Sequence, residues 1–222
     1  AMWTGERLKP FKWRVMYAHS KHGGTTWTAA KVLDGPKAAW QVPIVSRQTG
    51  RIYVFVTHGY LYGGMRCHTS DDGGYTWADP VELEFARGPT DHPGKGKQAS
   101  WISPTVPHWD SKGRPLIGFT RWATNPKYYT GIAGHTQVEY FRIENLSENP
   151  APKDLKITWL NLDDPITVPH ARKKGASYAQ EPYTVALPDG RLFVVMRTDS
   201  GLYLVLRLVR RRRDLAQGGT VA

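Results

Sequence analysis

Eight consecutive residues, Ser70-Asp71-Asp72-Gly73-Gly74-Tyr75-Thr76-Trp77, constrain this chain more than any other stretch. A hydroxyl, two carboxylates, a double glycine and an indole follow one another as a tight β-hairpin needs them. Gly73 and Gly74 can take positive φ without a Cβ clash. Asp72 can accept hydrogen bonds from backbone N–H groups of its own turn. Trp77, at the start of the returning strand, can cover the turn with a large apolar face. Fifty residues earlier the pattern recurs as Ser20-Lys21-His22-Gly23-Gly24-Thr25-Thr26-Trp27. A period of about 50 residues is that of propeller blades. In the earlier copy His22 stands in the place of Asp72, which predicts a turn that has lost its carboxylate acceptor.

The repeat extends along the chain. Residues 1–36 read as the back half of a unit, with strands at 13–18 and 29–33 around the first octet, so that the chain begins inside a blade. Residues 37–87 form a whole unit with strands near 40–45, 51–56, 65–69 and 81–85. A third unit, 98–165, repeats them near 103–106, 114–119, 138–143 and 157–160. There a polar stretch at 145–154 replaces the glycine turn, and Thr158-Trp159 keeps the indole. A fourth unit, 178–208, opens with strands at 181–187 and 191–197 and continues through 202–208. Gly-Arg opens the second strand each time, at Gly50-Arg51, Gly113-Arg114 and Gly190-Arg191. A proline precedes each glycine, at Pro43, Pro104 and Pro182. The expected class is all-β: a single partial propeller domain of four-stranded antiparallel blades. The stretch 209–222 departs from the pattern where a third octet is due. A one-base slip, which would read Asp214-Leu215 as Thr-Trp, accounts for it as a frameshifted tail.

Composition agrees with this texture. At 40% hydrophobic and 12% aromatic the chain can build a core, which excludes a disordered chain. No apolar run approaches the roughly 18 residues of a membrane span, and no membrane partner is expected. No signal-like leader opens the sequence, so the compartment is left open, a secreted or periplasmic parent included. The single Cys67 forms no internal disulfide. The net charge of +11 invites a nucleic-acid reading. Yet Arg207, Arg210, Arg211, Arg212 and Arg213 with Asp214 supply +4 of it, and the rest is scattered with no basic helix or aromatic-interleaved motif. A small or polymeric anion is the expected partner, and nucleic acid is not.

With the repeats as internal controls, two residues stand out. Glu181 sits just before the repeat proline, where the other units have Val42 and Ser103. Arg197 lies seven residues after the turn glycine, where the others have Thr57 and Thr120. They are symmetric about Asp189, which predicts direct cross-strand neighbours at one end of the blade. Such a pair can be a local ion pair or the start of a binding site. Arg121, Trp122, Gln98 and Trp101 are weaker candidates for the same pocket, alongside rim or core packing. Tyr128 and Tyr129 can stack on a sugar or cover a blade. His19 and His22 have a metal-like spacing but flank a turn with no third ligand, so no metal is expected.

Ser-x-Asp-x-Gly-x-x-Trp is the Asp-box, or BNR, motif, and Ser70, Asp72, Gly74 and Trp77 carry it, with Ser20, Gly24 and Trp27 in the partial copy. Together with Glu181-Pro182, Leu187-Pro188-Asp189-Gly190-Arg191-Leu192 and Arg197-Thr198, these octets make residues 13–208 resemble the sialidase (neuraminidase) superfamily. Its members are six-bladed propellers, of which three to four blades are covered here. The resemblance implies an exo-α-sialidase type of glycoside hydrolase without a cofactor, acting on an acidic sugar or glycan. Arg197 would be one of three arginines that hold the substrate carboxylate, bidentately as a planar fork allows. Glu181 would be the base that activates a tyrosine nucleophile, a neutral phenol that the carboxylate at the anomeric carbon does not repel. The other two arginines, the acid/base aspartate and the tyrosine would fall outside residues 1–222, so this polypeptide alone is expected to be inactive. Two other functions remain open. One is a polysaccharide lyase on a related propeller, with His58 or His108 and a tyrosine moving the proton. The other is a non-catalytic carbohydrate-binding propeller.

Overall fold

From residue 52 to 56 large apolar side chains follow one another without a polar break, a pattern that only a strand with two dry faces can satisfy. The computed structural model describes residues 1–8, 12–59, 63–94, 100–102, 106–130, 133–189 and 191–199. In it Ile52–His58 is β5, the second strand of a four-stranded meander with β4 (Ala38–Val45), β6 (Met65–Ser70) and β7 (Val81–Leu83) in the order β4-β5-β6-β7. Tyr53 and Phe55 face the next sheet and join Trp101, Phe119 and Phe141 in the largest core cluster. Val54 and Val56 face the preceding sheet, against Val15.

That preceding sheet is β1 (Met2–Leu8), β2 (Lys12–Tyr17) and β3 (Lys31–Asp34), in that order. The strand β1 corrects the reading of residues 1–36 as two strands only. The following sheet contains β8 (Ser100–Ile102), β9 (His108–Trp109), β10 (Pro115–Trp122), β11 (Thr136–Ile143) and β12 (Ile157–Trp159), with β8 and β9 both paired to β10. The strand expected near 103–106 falls partly outside the described residues, and the paired segment lies earlier, at Ser100–Ile102. Two 3-10 turns, Leu146–Glu148 and Pro152–Asp154, fill the polar stretch between β11 and β12. The last described sheet is the hairpin of β13 (Gln180–Ala186) and β14 (Leu192–Arg197). The strand expected at 202–208, the tail at 209–222 and its proposed frameshift lie outside the described residues.

The sheets stack face to face. Leu116, Val138 and Tyr140 of the third meet Val194 and Met196 of the fourth. Gly118 permits the closest approach, since a Cβ there would lie 2.8 Å from Tyr140 Cε1 and 3.0 Å from Pro182 Cγ. On the far side of the hairpin Tyr183 and Val185 are exposed.

The second octet forms the β6–β7 turn. Gly73 and Gly74 have φ of 77° and 90°. The Gly74 N–H donates to Ser70 Oγ at 2.8 Å. Asp72 receives the Thr76 N–H at 2.9 Å and the Thr76 hydroxyl at 2.6 Å. The Thr76 hydroxyl, the Thr76 N–H and the Ser70 hydroxyl together hold the Asp72 carboxyl well below the usual carboxylate range. A depressed carboxyl stabilises the fold above its unfolded pKa, about 3.9, and the contribution fades as pH falls below that. The acid limb of the stability–pH curve is therefore expected to be shallower in Asp72→Asn than in the parent, which urea midpoints between pH 5 and 2 would measure. Coincident limbs would disprove the role. In the first octet the carboxylate acceptor is absent as expected, and His22 Nδ1 stands 2.8 Å from the Thr26 hydroxyl in the place Asp72 fills in its own turn. Gly24 N–H still reaches Ser20 Oγ at 2.8 Å, and Trp27 stays 52% exposed. Trp77, by contrast, is half-buried against Tyr17.

Candidate functional site

The site is built where β13 begins and β14 ends. Arg197 Nη1 donates to Glu181 Oε1 at 3.1 Å, with the two side chains 51% and 43% exposed. The pairing expected from symmetry about Asp189 is corrected in one respect. Arg197 is opposite Gln180, and the register shifts between Gln180 and Tyr183 because Glu181 is an extra, bulged residue. Its φ is +54°, a left-handed conformation that a long side chain adopts only under constraint. The constraint comes from the neighbouring sheet: the Glu181 N–H donates to Thr120 Oγ1 on β10 at 2.7 Å.

The same device occurs two sheets earlier. The register of β4 and β5 shifts between Ala39 and Gln41, and the bulged residue, Trp40, has φ +50°. Its N–H donates to Thr4 Oγ1 on β1 at 3.0 Å. The structural counterpart of Glu181 is thus Trp40 rather than Val42, because the repeat prolines Pro43 and Pro182 do not occupy equivalent places. The equivalence of Arg197 with Thr57 stands, since Thr57 faces Ala39 as Arg197 faces Gln180. Thr57 and Thr120 both spend their hydroxyls on the next sheet, Thr57 on Trp101 O at 3.1 Å. Arg197 replaces that threonine with a guanidinium on the exposed end of the hairpin. Sequence comparison missed Trp40, and the signal that could have found it is the bulge, which shifts the alignment by one residue.

Arg121 and Trp122, read as weak pocket candidates, are core residues. Arg121 is fully buried, with Nε and Nη2 on Glu139 at 2.7 and 2.9 Å, Nη1 on Asp91 at 2.7 Å and Nη2 also on Ala86 O at 3.0 Å. Its guanidinium has no free edge for a substrate. Trp122 is 1% exposed and meets Trp40 edge-on at 5.4 Å. Trp101 is buried and stacked on Phe85, and Gln98 lies outside the described residues. Tyr128 packs on His135 at 5.0 Å, while Tyr129 is exposed under Lys173. The rings of His19 and His22 turn to different partners, Tyr75 and Thr26.

Beside the pair lies a buried cluster. His170 Nδ1 meets Asp199 Oδ2 at 2.5 Å, and Asp199 Oδ1 accepts the Ala171 N–H at 3.0 Å. The Tyr178 ring meets His170 edge-on at 5.4 Å and lies 6.0 Å from the Arg197 guanidinium. Tyr140, hydrogen-bonded to Thr184 at 3.0 Å, has its phenol pushed up to about 12 by burial.

A carboxylate and a guanidinium stand together at one exposed strand end, on a strained bulge, where each can pair with a group of opposite charge. No protein-family model matches this sequence, and comparison with curated proteins finds no match. Among solved structures the chain is similar to the Hadza microbial sialidase Hz136, with a TM-score of 0.56 at 16% identity over 86% of this chain and 37% of that one. It is also similar to a Dyadobacter fermentans protein of unknown function, with a TM-score of 0.61 at 14% identity over 89% of this chain and 54% of that one. The chain therefore has a sialidase-like, all-β propeller fold and spans about a third to a half of the length of these two proteins.

Proposed function

We propose that the chain is part of a carbohydrate-active propeller of the exo-α-sialidase type, and that Glu181 and Arg197 meet a carboxylate-bearing sugar. The observation that carries this reading is the exposed 3.1 Å pair on the +54° bulge. A cross-strand ion pair kept only for stability is worth at most about 1 kcal/mol when exposed, while a left-handed glutamate costs about 1–3 kcal/mol. Stability alone does not favour that exchange; a ligand does. Arg197 can leave Glu181 for a substrate carboxylate without unburying anything, and Glu181 is then released to act as a base.

Purified 222-residue chain is expected to bind N-acetylneuraminic acid, with affinity reduced at least about tenfold in Arg197→Ala and not restored in Arg197→Lys. It is expected to release no sugar from a sialoside, because the resemblance puts two further arginines, an acid/base aspartate and a tyrosine nucleophile outside these residues. Equal affinity in the parent and Arg197→Ala would overturn the reading. The lyase alternative, with His58 or His108 and a tyrosine moving the proton, has less support, since His108 sits with β9 toward the end of β10 away from Thr120, the residue that holds Glu181. It predicts an unsaturated product from a uronic-acid polymer and no released sialic acid.

A further inference from the structure

Between β12 and β13 the chain makes a small hairpin whose tip is Arg172-Lys173-Lys174-Gly175. Its two arms meet where Pro169 bridges Ser177 and where the His170 N–H donates to Ala176 O at 2.9 Å. The hairpin is braced on two sides. Toward the β10–β11 connection, Lys173 Nζ donates to Ala133 O and lies 5.4 Å from the centre of the Tyr129 ring. Toward the end of β14, Asp199 accepts the Ala171 N–H at 3.0 Å and meets His170 Nδ1 at 2.5 Å. Lys173 is therefore a structural residue. Arg172 and Lys174 are not: the Arg172 side chain is 80% exposed, and its ion pair with Asp199 Oδ2, at 3.9 Å, is at the edge of contact. Lys174 is exposed as well.

The same braces set this tip beside Arg197. The Arg197 guanidinium lies 6.0 Å from the Tyr178 ring, Tyr178 meets His170 edge-on at 5.4 Å, and His170 touches Asp199, which in turn faces Arg172. Arg197 and Arg172 thus stand at the two ends of one chain of contacts. Four cations, Arg172, Lys173, Lys174 and Arg197, share this surface with two carboxylates, Asp199 and Glu181, and the surplus is positive. We infer that the hairpin is an anion-binding arm and that the substrate is a polymeric acidic glycan: Arg197 holds the carboxylate of one sugar, and Arg172 with Lys174 takes the acidic group of a neighbouring sugar. This rests on the reading of Glu181 and Arg197 as an acidic-sugar site. A single acidic sugar has no second carboxylate for the arm, whereas a linked one delivers it at high effective concentration. The fork of Arg172 suits a carboxylate bidentately. A nucleic acid fits less well, because the cations are confined to one hairpin tip and one strand end, while backbone binding draws on a longer stripe of phosphate contacts.

The test is calorimetric titration of the full chain with N-acetylneuraminic acid and with its linear trimer, with thermal unfolding of each variant alongside. The trimer is expected to bind the parent about tenfold more tightly than the monomer. In Arg172→Ala with Lys174→Ala, two exposed positions whose loss leaves the braces in place, that ratio is expected to fall to about one. Equal affinities in the parent, or a tenfold ratio that survives in the folded double variant, would overturn the arm; monomer binding that is lost in Arg197→Ala would still support the Arg197 site. A single-stranded oligonucleotide that displaces the trimer at equal charge would overturn the assignment to a glycan. No binding of either sugar by the parent chain would overturn both readings.

Discussion

Arg121→Met is expected to destabilise the chain by about 3–5 kcal/mol, enough to leave it unfolded or aggregated at 37 °C. The reason is what it leaves behind. Asp91 and Glu139 are each almost fully buried and take three of their hydrogen bonds from the Arg121 guanidinium. Without it two carboxylates stay in the core with only the Gln137 side chain and the Gly88 N–H as described donors. Arg121→Lys is expected to help little, since one ammonium cannot reach both acids and Ala86 O with the geometry of a fork. Neutralising the acids is the diagnostic step: Asp91→Asn with Glu139→Gln in the Arg121→Met background is expected to recover most of the loss, because the penalty belongs to unpaired charge and not to lost volume. Urea midpoints for the single, double and triple variants measure it. An Arg121→Met chain within about 1 kcal/mol of the parent would contradict the account.

How much of this was legible in the sequence depends on whether the signal was local. The octet at 70–77 could be read because Ser70, Asp72, Gly74 and Thr76 bond one another within four residues. The place of Arg197 could be read because the repeats supplied a control in the right register, Thr57 facing Ala39 as Arg197 faces Gln180, whereas the control for Glu181 was one bulge out of step. Strand Met2–Leu8 escaped because Gly5, Glu6 and Arg7 break any alternation, and its order comes from pairing with β2. Arg121 was misread because an arginine at a strand end looks like a rim residue until its partners are known. Those partners, Asp91 and Glu139, lie 30 and 18 residues away. The bulges were hidden for a further reason: an inserted residue leaves no mark in a sequence when a nearby proline, such as Pro43, offers a false point of alignment.

Thr120→Val tests the bulge itself. Thr120 is fully buried, and its hydroxyl is the acceptor for the Glu181 N–H at 2.7 Å. Valine has nearly the same shape, so packing is kept while the acceptor is lost. An N–H left without its partner there costs about 1–3 kcal/mol, which adds to the strain already present at φ +54°. Two outcomes follow together. Stability falls by that amount, and Glu181, no longer fixed from the neighbouring sheet, moves away from Arg197, so that affinity for an acidic sugar falls as well. Thr120→Ser, which keeps the hydroxyl, is expected to restore both. Adding Glu181→Gly to Thr120→Val separates the two effects, since glycine removes the left-handed strain and recovers stability, whereas binding stays lost because the carboxylate is gone. A Thr120→Val chain with the parent's stability and affinity would mean that the turn of β13 toward Arg197 is set by the hairpin alone, and that the Thr120 hydroxyl does not aim Glu181.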